Sequence, residues 1–263
     1  MWPTARLSLA SVVLSGLVAV GPLTAQDVAP LFQQAGSVVY ETYNGVNSPV
    51  FGEYFEMLVD KYKDTDAHGW GLYRENATVW YRISPLANGL QTLMEVQAAR
   101  SAGFQEFNDA ERALWNTAWA TRHVSIFNAA PAMSVVPEGF SVADIQALPY
   151  NRVTVYYLKW DQAPAFRQAL RARAELDRDA NIDDFVFTAW NGGIGTEAQT
   201  VMIRVSAASL NADRGPNQAA RRAARESYRA EWSRLSQIMN NAAYHIERHD
   251  QTRIGELSHS PGR

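Results

Sequence analysis

The octet at residues 77–84, ATVWYRIS, returns at residues 199–206 as QTVMIRVS, with Thr, Val, Arg and Ser at matching places 122 residues apart. Each octet alternates between two kinds of side chain, the pattern of a strand with one face buried. Val79, Tyr81 and Ile83 share one face, matched by Val201, Ile203 and Val205. The other face carries Thr78, Trp80 and Arg82, matched by Thr200, Met202 and Arg204. An apolar sheet face needs a covering layer, so helices are expected beside each octet, with the arginine faces turned away from them.

The flanking sequence supplies those helices in the same order twice. Phe51, Tyr54, Phe55, Leu58, Val59 and Tyr62 form a continuous helical stripe. Ser48 is the expected N-cap and Pro49 the first helical residue. In the second half Ala163, Phe166, Leu170 and Ala174 repeat the stripe, with Asp161 as the expected cap. Strands are expected before each helix, at residues 37–43 and 152–160. Others lie between helix and octet, at 70–75 and 184–190. After each octet comes more helical sequence, with Trp115 and Trp119 one turn apart on a packed face in the first copy. Each half then closes on a short strand, residues 122–127 and 244–250.

The order is β-α-β-β-α-β twice, so the chain is expected to be α+β, built as two tandem ferredoxin-like repeats. The first repeat covers residues 26–129 and the second 152–250. Residues 130–151 form the linker and 251–263 a polar C-terminal tail. Two such units in one chain resemble the dimeric α+β barrel superfamily, which includes antibiotic-biosynthesis-monooxygenase-like and NIPSNAP-like proteins. The resemblance rests on element order and duplication and covers residue 36 to about residue 250. It implies two four-stranded sheets closed into an intramolecular α+β barrel, with helices outside. It also implies a pocket between helices and sheet, favouring Tyr40, Tyr81, Trp115 and Trp119. No catalytic set of the superfamily maps onto this chain residue by residue, and fold alone does not set function.

The N-terminus reads as a signal peptide. Residues 1–6 hold Arg6 and no acid, residues 7–20 are an apolar run, and Ala25 precedes a cleavage site before Gln26. A membrane span needs about 20 apolar residues, and this run is shorter and broken by Ser and Gly. The protein is therefore expected to be exported, periplasmic or secreted, with no integral membrane segment once the signal is removed. The oligomeric state is not legible. With no cysteine in the chain, thiol nucleophiles, thiolate metal sites and a lipoprotein anchor are excluded. The core must then hold the fold without disulfides, which 47% hydrophobic residues can do. With 24 basic against 27 acidic residues, nothing points to nucleic acid as a partner.

The function expected is binding of a small, anionic molecule. If the apolar octet faces meet the helices, Arg82, Arg204 and Trp80 point into the barrel, beside His123 and His245 on the closing strands. The two arginines would be forked donors to an anion. The other reading, favoured by the cost of a buried arginine, is that they pair with an internal carboxylate, Glu41 or Glu247, and fix strand register. His245, Glu247 and His249 alternate on one strand face, the weak candidate for a metal. His123, Ser125 and Phe127 in the other half make no such set, and no cofactor is expected. A haem protein similar to chlorite dismutase would need an axial histidine, and none sits securely in an expected helix. Two alternatives stand beside binding: a monooxygenase-like enzyme without a metal cofactor, and a ligand-free structural or assembly module. The Gly-rich NGGIGTEAQ lacks the Lys and Ser/Thr of a phosphate loop and reads as a hairpin turn. Arg221, Arg225 and Arg229 recur at helical spacing and read as a solvated basic face.

Overall fold

The computed structural model describes residues 29–182 and 186–261. The signal-peptide reading and the first residues of the strand expected at 184–190 lie outside the described residues. Eight strands are present: β1 Ser37–Asn44, β2 Gly71–Arg74, β3 Val79–Leu86, β4 Thr121–Ala129, β5 Tyr150–Leu158, β6 Val186–Gly192, β7 Thr200–Ala207 and β8 Ala243–Arg253. They close into one barrel in the order β1-β3-β2-β8-β5-β7-β6-β4. Every neighbouring pair is antiparallel. Closure removes the unpaired edges that an open sheet would expose.

The helices α1 Pro30–Gln34, α2 Ser48–Tyr62, α3 Leu90–Gln105, α4 Asp109–Ala118, α5 Val142–Ala147, α6 Ala163–Asp179, α7 Leu210–Arg214, α8 Pro216–Ala224 and α9 Arg229–Ala242 complete the fold. The α2 stripe buries Phe51, Tyr54, Phe55 and Leu58 against Tyr43, Leu72 and Trp80 of the barrel wall. Its cap position is Asn47 rather than Ser48, and Pro49 lies in the first turn. Asp161 likewise falls in a short 3-10 turn ahead of α6, whose cap position is Gln162. On the other side Phe166, Ala169 and Leu170 of α6 pack with Leu235 and Met239 of α9 on Val201 and Ile203. Burying a side chain such as Phe166 or Leu170 contributes about 1.5–3 kcal/mol.

The barrel interior is filled by Tyr40, Tyr73, Tyr81, Ile83, Phe127, Val153, Val155, Trp190 and Met202. This corrects the facing of the first octet. Tyr81 and Ile83 point inward, while Trp80 and Arg82 point outward under the helices. The second octet faces as expected, with Val201 and Ile203 under the helices and Met202 inside. The strands are therefore matched one residue away from the register that the octet identities suggest. By strand position and facing, the counterpart of Arg82 is Ile203 and that of Arg204 is Ile83. A one-residue shift moves every side chain of a strand to the opposite face.

Two short seams close the barrel. β2 and β8 share only the pairs Tyr73↔Arg253 and Arg74↔Thr252. β4 and β6 pair over Phe127↔Gly192, Asn128↔Asn191 and Ala129↔Trp190. The second seam is lengthened by the β6–β7 turn, where Ile126 N–H donates to Ile194 (2.8 Å) and Gly193 N–H to Ile126 (2.9 Å). The first is sealed by the segment after β8, expected as a polar tail. Trp70 and His259 form a bridge, Trp70 Nε1 donates to the Leu257 carbonyl at 3.0 Å, and Leu257 is buried.

Candidate functional site

The Arg82 face leads to the site. Arg82 lies directly across from Glu41 on β1, and Arg122 on β4 lies across from Tyr43. Alternation then puts Glu41, Tyr43, Arg82 and Arg122 on one outer face of the sheet. Helix α3 brings down Arg100 on top of them. Glu41 is fully buried. Arg100 Nη1 donates to its Oε1 at 3.0 Å, and Arg122 Nε donates to the same oxygen at 3.1 Å. Arg122 Nη2 also donates to Oε1, and Arg82 Nε stands 3.7 Å from Oε2. Tyr43 hydroxyl reaches Oε2 at 3.5 Å. Three guanidiniums thus converge on one carboxylate, leaving a surplus of buried positive charge.

The electrostatics follow from that surplus. Burial pushes the Glu41 carboxyl up, but Arg100, Arg82 and Arg122 together outweigh it and hold the group below the usual carboxylate range. Burial and then the Glu41 charge push the Tyr43 phenol up to about 12, so it stays a neutral donor. Burial and the neighbouring Arg82 pull Arg100 down. The buried Nε atoms of Arg82 and Arg100 have no hydrogen-bond partner, and unmet donors of this kind carry a cost of about 1–3 kcal/mol each.

Above this floor lies a cavity of about 350 Å³ between the sheet and helices α2, α3 and α4. Its walls are aromatic: Tyr54 and Tyr62 from α2, Phe104 from α3, Trp115 from α4, and Trp70 and Phe107 from the connections. Arg82 stacks over Trp70 with its guanidinium carbon 4.4 Å from the ring centre, which fixes its plane. Trp115 packs edge-on against Trp119 at 4.3 Å between centres, the pairing expected from their helical spacing. His68 also lines the cavity. Burial, reinforced by Arg100 and Arg82, lowers its pKa, so the ring is neutral near pH 7, and its Nε2 is buried with no partner. Chemically the cavity offers apolar walls for a ring or hydrocarbon, cationic donors at the floor, and one neutral imidazole.

The other residues singled out in the sequence are dispersed. Arg204 is inside the barrel, donating from Nε to Asn151 Oδ1 at 2.8 Å and from Nη2 to the Tyr73 hydroxyl at 2.8 Å. His123 is exposed, with Nε2 2.9 Å from the Gly195 carbonyl. His245, Glu247 and His249 do share the inner face of β8, opposite Tyr157, Val155 and Val153. His245 Nε2 lies 3.2 Å from Glu247, Tyr157 hydroxyl donates to Glu247 at 3.0 Å, and His249 Nδ1 lies 3.1 Å from Glu75. No group of three or more such residues is placed to hold a metal among the described residues. Of the aromatics favoured for a pocket between helices and sheet, Trp115 lines it, while Tyr40 and Tyr81 are inside the barrel. Sequence reading did not single out Arg100 and Arg122, and it set His68 aside as a residue of the turn before Gly69, whereas it lines the cavity. Arg100 lies in a helix with no clear apolar stripe, and Arg122 shows its role only once β4 is paired beside β1.

Barrel order and helix placement define the class: the chain adopts the dimeric α+β barrel fold. Among solved structures it is similar to a candidate monooxygenase from Lactobacillus acidophilus NCFM (TM-score 0.53, 9% identity, 83% of this chain and 94% of that one). It is also similar to an anthrone oxidase-like protein (TM-score 0.54, 12% identity, 86% and 94%). A candidate monooxygenase from Fusobacterium nucleatum gives TM-score 0.53 at 8% identity, over 84% and 93% of the two chains. At these identities the likeness is one of fold. No family model matches the chain, and no curated protein sequence does. Among the described residues no helix is long and apolar enough to cross a membrane.

Proposed function

We propose that this protein binds a small amphipathic anion, an aromatic or apolar body bearing one carboxylate or similar group, in the cavity over Glu41. The observation that carries the reading is the convergence of Arg82, Arg100 and Arg122 on a single buried carboxylate at the floor of an aromatic-walled cavity. A ligand anion would meet the surplus charge and the unmatched Arg82 and Arg100 donors, and the rings would cover its body. The test is titration of the purified protein with naphthoate and with the uncharged naphthamide, read by calorimetry. Naphthoate is expected to bind at least tenfold more tightly, about 1.4 kcal/mol, and Arg100→Gln to remove that preference. Equal binding of acid and amide would reject an anion site.

A second reading is a monooxygenase-like enzyme without a metal cofactor. It is favoured by His68, a neutral imidazole with an unmatched Nε2 in the same cavity, and by the names given to the fold neighbours. His68 would accept a proton from an acidic substrate, and Arg82 and Arg100 would meet the resulting anion. Oxygen uptake with anthrone as probe, lost in His68→Ala, would support it; no uptake by the wild type leaves binding as the function.

We further propose a duplicated architecture and export for this chain. The chain is a tandem duplication of ferredoxin-like units; support comes from the order β4-β1-β3-β2 followed round the barrel by β8-β5-β7-β6. It is exported, on the strength of the apolar run after Arg6 and the small residue Ala25; mass spectrometry of protein from the native host is expected to show an N-terminus at Gln26.

A further inference from the structure

The outer face of the second half carries its own cleft, of about 420 Å³, between β5 and β7 on one side and α6, α8 and α9 on the other. Its walls are rich in arginine where the first cavity is rich in rings: Arg152, Arg173, Arg214, Arg221, Arg225 and Arg248 all line it. The basic face at Arg221 and Arg225, expected to be solvated, is turned partly inward. Among the described residues the carboxylates paired with them are fewer. Asp213 holds Arg152 at 2.7 Å and Arg221 at 3.5 Å, Asp177 holds Arg225 at 2.5 Å, and Asp250 holds Arg214 at 2.8 Å. Arg173 and Arg248 have no carboxylate at ion-pair distance among the described residues.

Arg173 is the more constrained of the two. Its guanidinium carbon lies 3.9 Å from the Trp232 ring centre, and Arg225 approaches the same ring at 4.8 Å. Its Nη1 points to Met239 Sδ at 3.3 Å, and its Nε is buried with no partner. Burial lowers its pKa to about 10, against the opposing pull of Tyr156 and Asp177, so it remains a cation at neutral pH. A stacked cation with an unmet donor is preorganised for an oxyanion. Arg248 is exposed and supplies a second unpaired charge on the same cleft.

We propose that this cleft is a second ligand site, for a small phosphate monoester. Two guanidiniums with no carboxylate partner among the described residues match a doubly charged tetrahedral oxyanion, whose oxygens accept from forked donors in several directions. Leu170, Val205 and Phe187 in the lining give the ester carbons an apolar surface, and the volume exceeds that of a bare phosphate. The site shares no lining residue with the cavity over Glu41 and does not depend on its reading.

The test is calorimetric titration of the purified full chain carrying Arg100→Gln, which takes the anion preference out of the cavity over Glu41, with phenyl phosphate, inorganic phosphate and benzoate in low-salt buffer. Phenyl phosphate is expected to bind at least tenfold more tightly than benzoate and more tightly than inorganic phosphate. Arg173→Met is expected to weaken it tenfold or more, with the fold checked by circular dichroism. Arg248→Gln, an exposed position that does not bear on folding, is expected to weaken it threefold or more. No binding of phenyl phosphate at millimolar concentration overturns the proposal. So does binding that survives Arg248→Gln and Arg173→Met. Inorganic phosphate binding as tightly as the ester would overturn the monoester assignment.

Discussion

Glu41 is the residue on which the first half turns. It is a single buried carboxylate serving three guanidiniums, so removing its charge leaves cations buried without compensation. Breaking such a pair costs about 3–5 kcal/mol, and Glu41→Gln is expected to lose that much in urea unfolding at neutral pH. The acid limb carries the same information. Because the folded state holds the Glu41 pKa below its ordinary value, its contribution is fully present above the ordinary carboxylate range. It is lost as pH falls through the folded value. The variant should therefore show a shallower loss of stability on acidification than the wild type; parallel acid profiles would mean that Glu41 is not the group being protonated. Arg82 was legible as a residue needing a partner, and Glu41 as one candidate for it. That the partner also recruits Arg100 and Arg122 was not, because those contacts join four separate elements.

At the scale of elements, the octets teach how a correct strand assignment can carry a wrong facing. Alternation identified both strands, β3 and β7, and it named the two faces of each correctly. Which face meets the helices depends on what lies on them: Phe51 and Phe55 of α2 accept Trp80 as a packing partner, while Tyr40 and Phe127 accept Tyr81 inside. An aromatic-rich strand such as β3 can bury either face, so its pattern alone does not choose. The β6–β7 turn is a second element whose sequence said turn but not destination. Gly195 has φ +77°, and a Cβ there would sit 2.1 Å from the Val124 carbonyl oxygen. Left-handed backbone costs a non-glycine residue about 1–2 kcal/mol, and the clash with backbone adds to it. Gly195→Ala is expected to destabilise the protein by about 2 kcal/mol or more, with amide exchange in β4 and β6 accelerated before that in β5 and β7.

For the whole molecule, closure of the barrel is the collective event. The β2–β8 seam has only two backbone pairs, and the segment after Arg253 seals it. Ile254 N–H donates to Leu72 (2.8 Å) and His259 N–H to Trp70 (3.0 Å), while Leu72 N–H donates to Ser258 Oγ at 3.0 Å. Truncation after Arg253 keeps the two β2–β8 pairs but removes these bonds and buried Leu257. Such a chain is expected to lose about 3 kcal/mol or more, from one buried Leu and several hydrogen bonds. A thermal unfolding midpoint unchanged by the truncation would show that the barrel closes without this strap.

Sequence by itself determined the strands, their order and the main helices that cover them, while the closed barrel was what the resemblance implied and α1 and α5 were not foreseen. Periodicity and spacing are local properties, and the octets and helical stripes write theirs directly into the chain. It also placed an arginine in each octet and marked both as needing partners. Tertiary structure alone decided that Arg82 lies in an outer cavity with Arg100, Arg122 and His68, while Arg204 lies inside with Asn151 and Tyr73. The physical reason is parity: a strand's side chains alternate with a period of two, so a single residue of register separates inside from outside. That residue is fixed by packing between distant segments, not by the sequence of either strand.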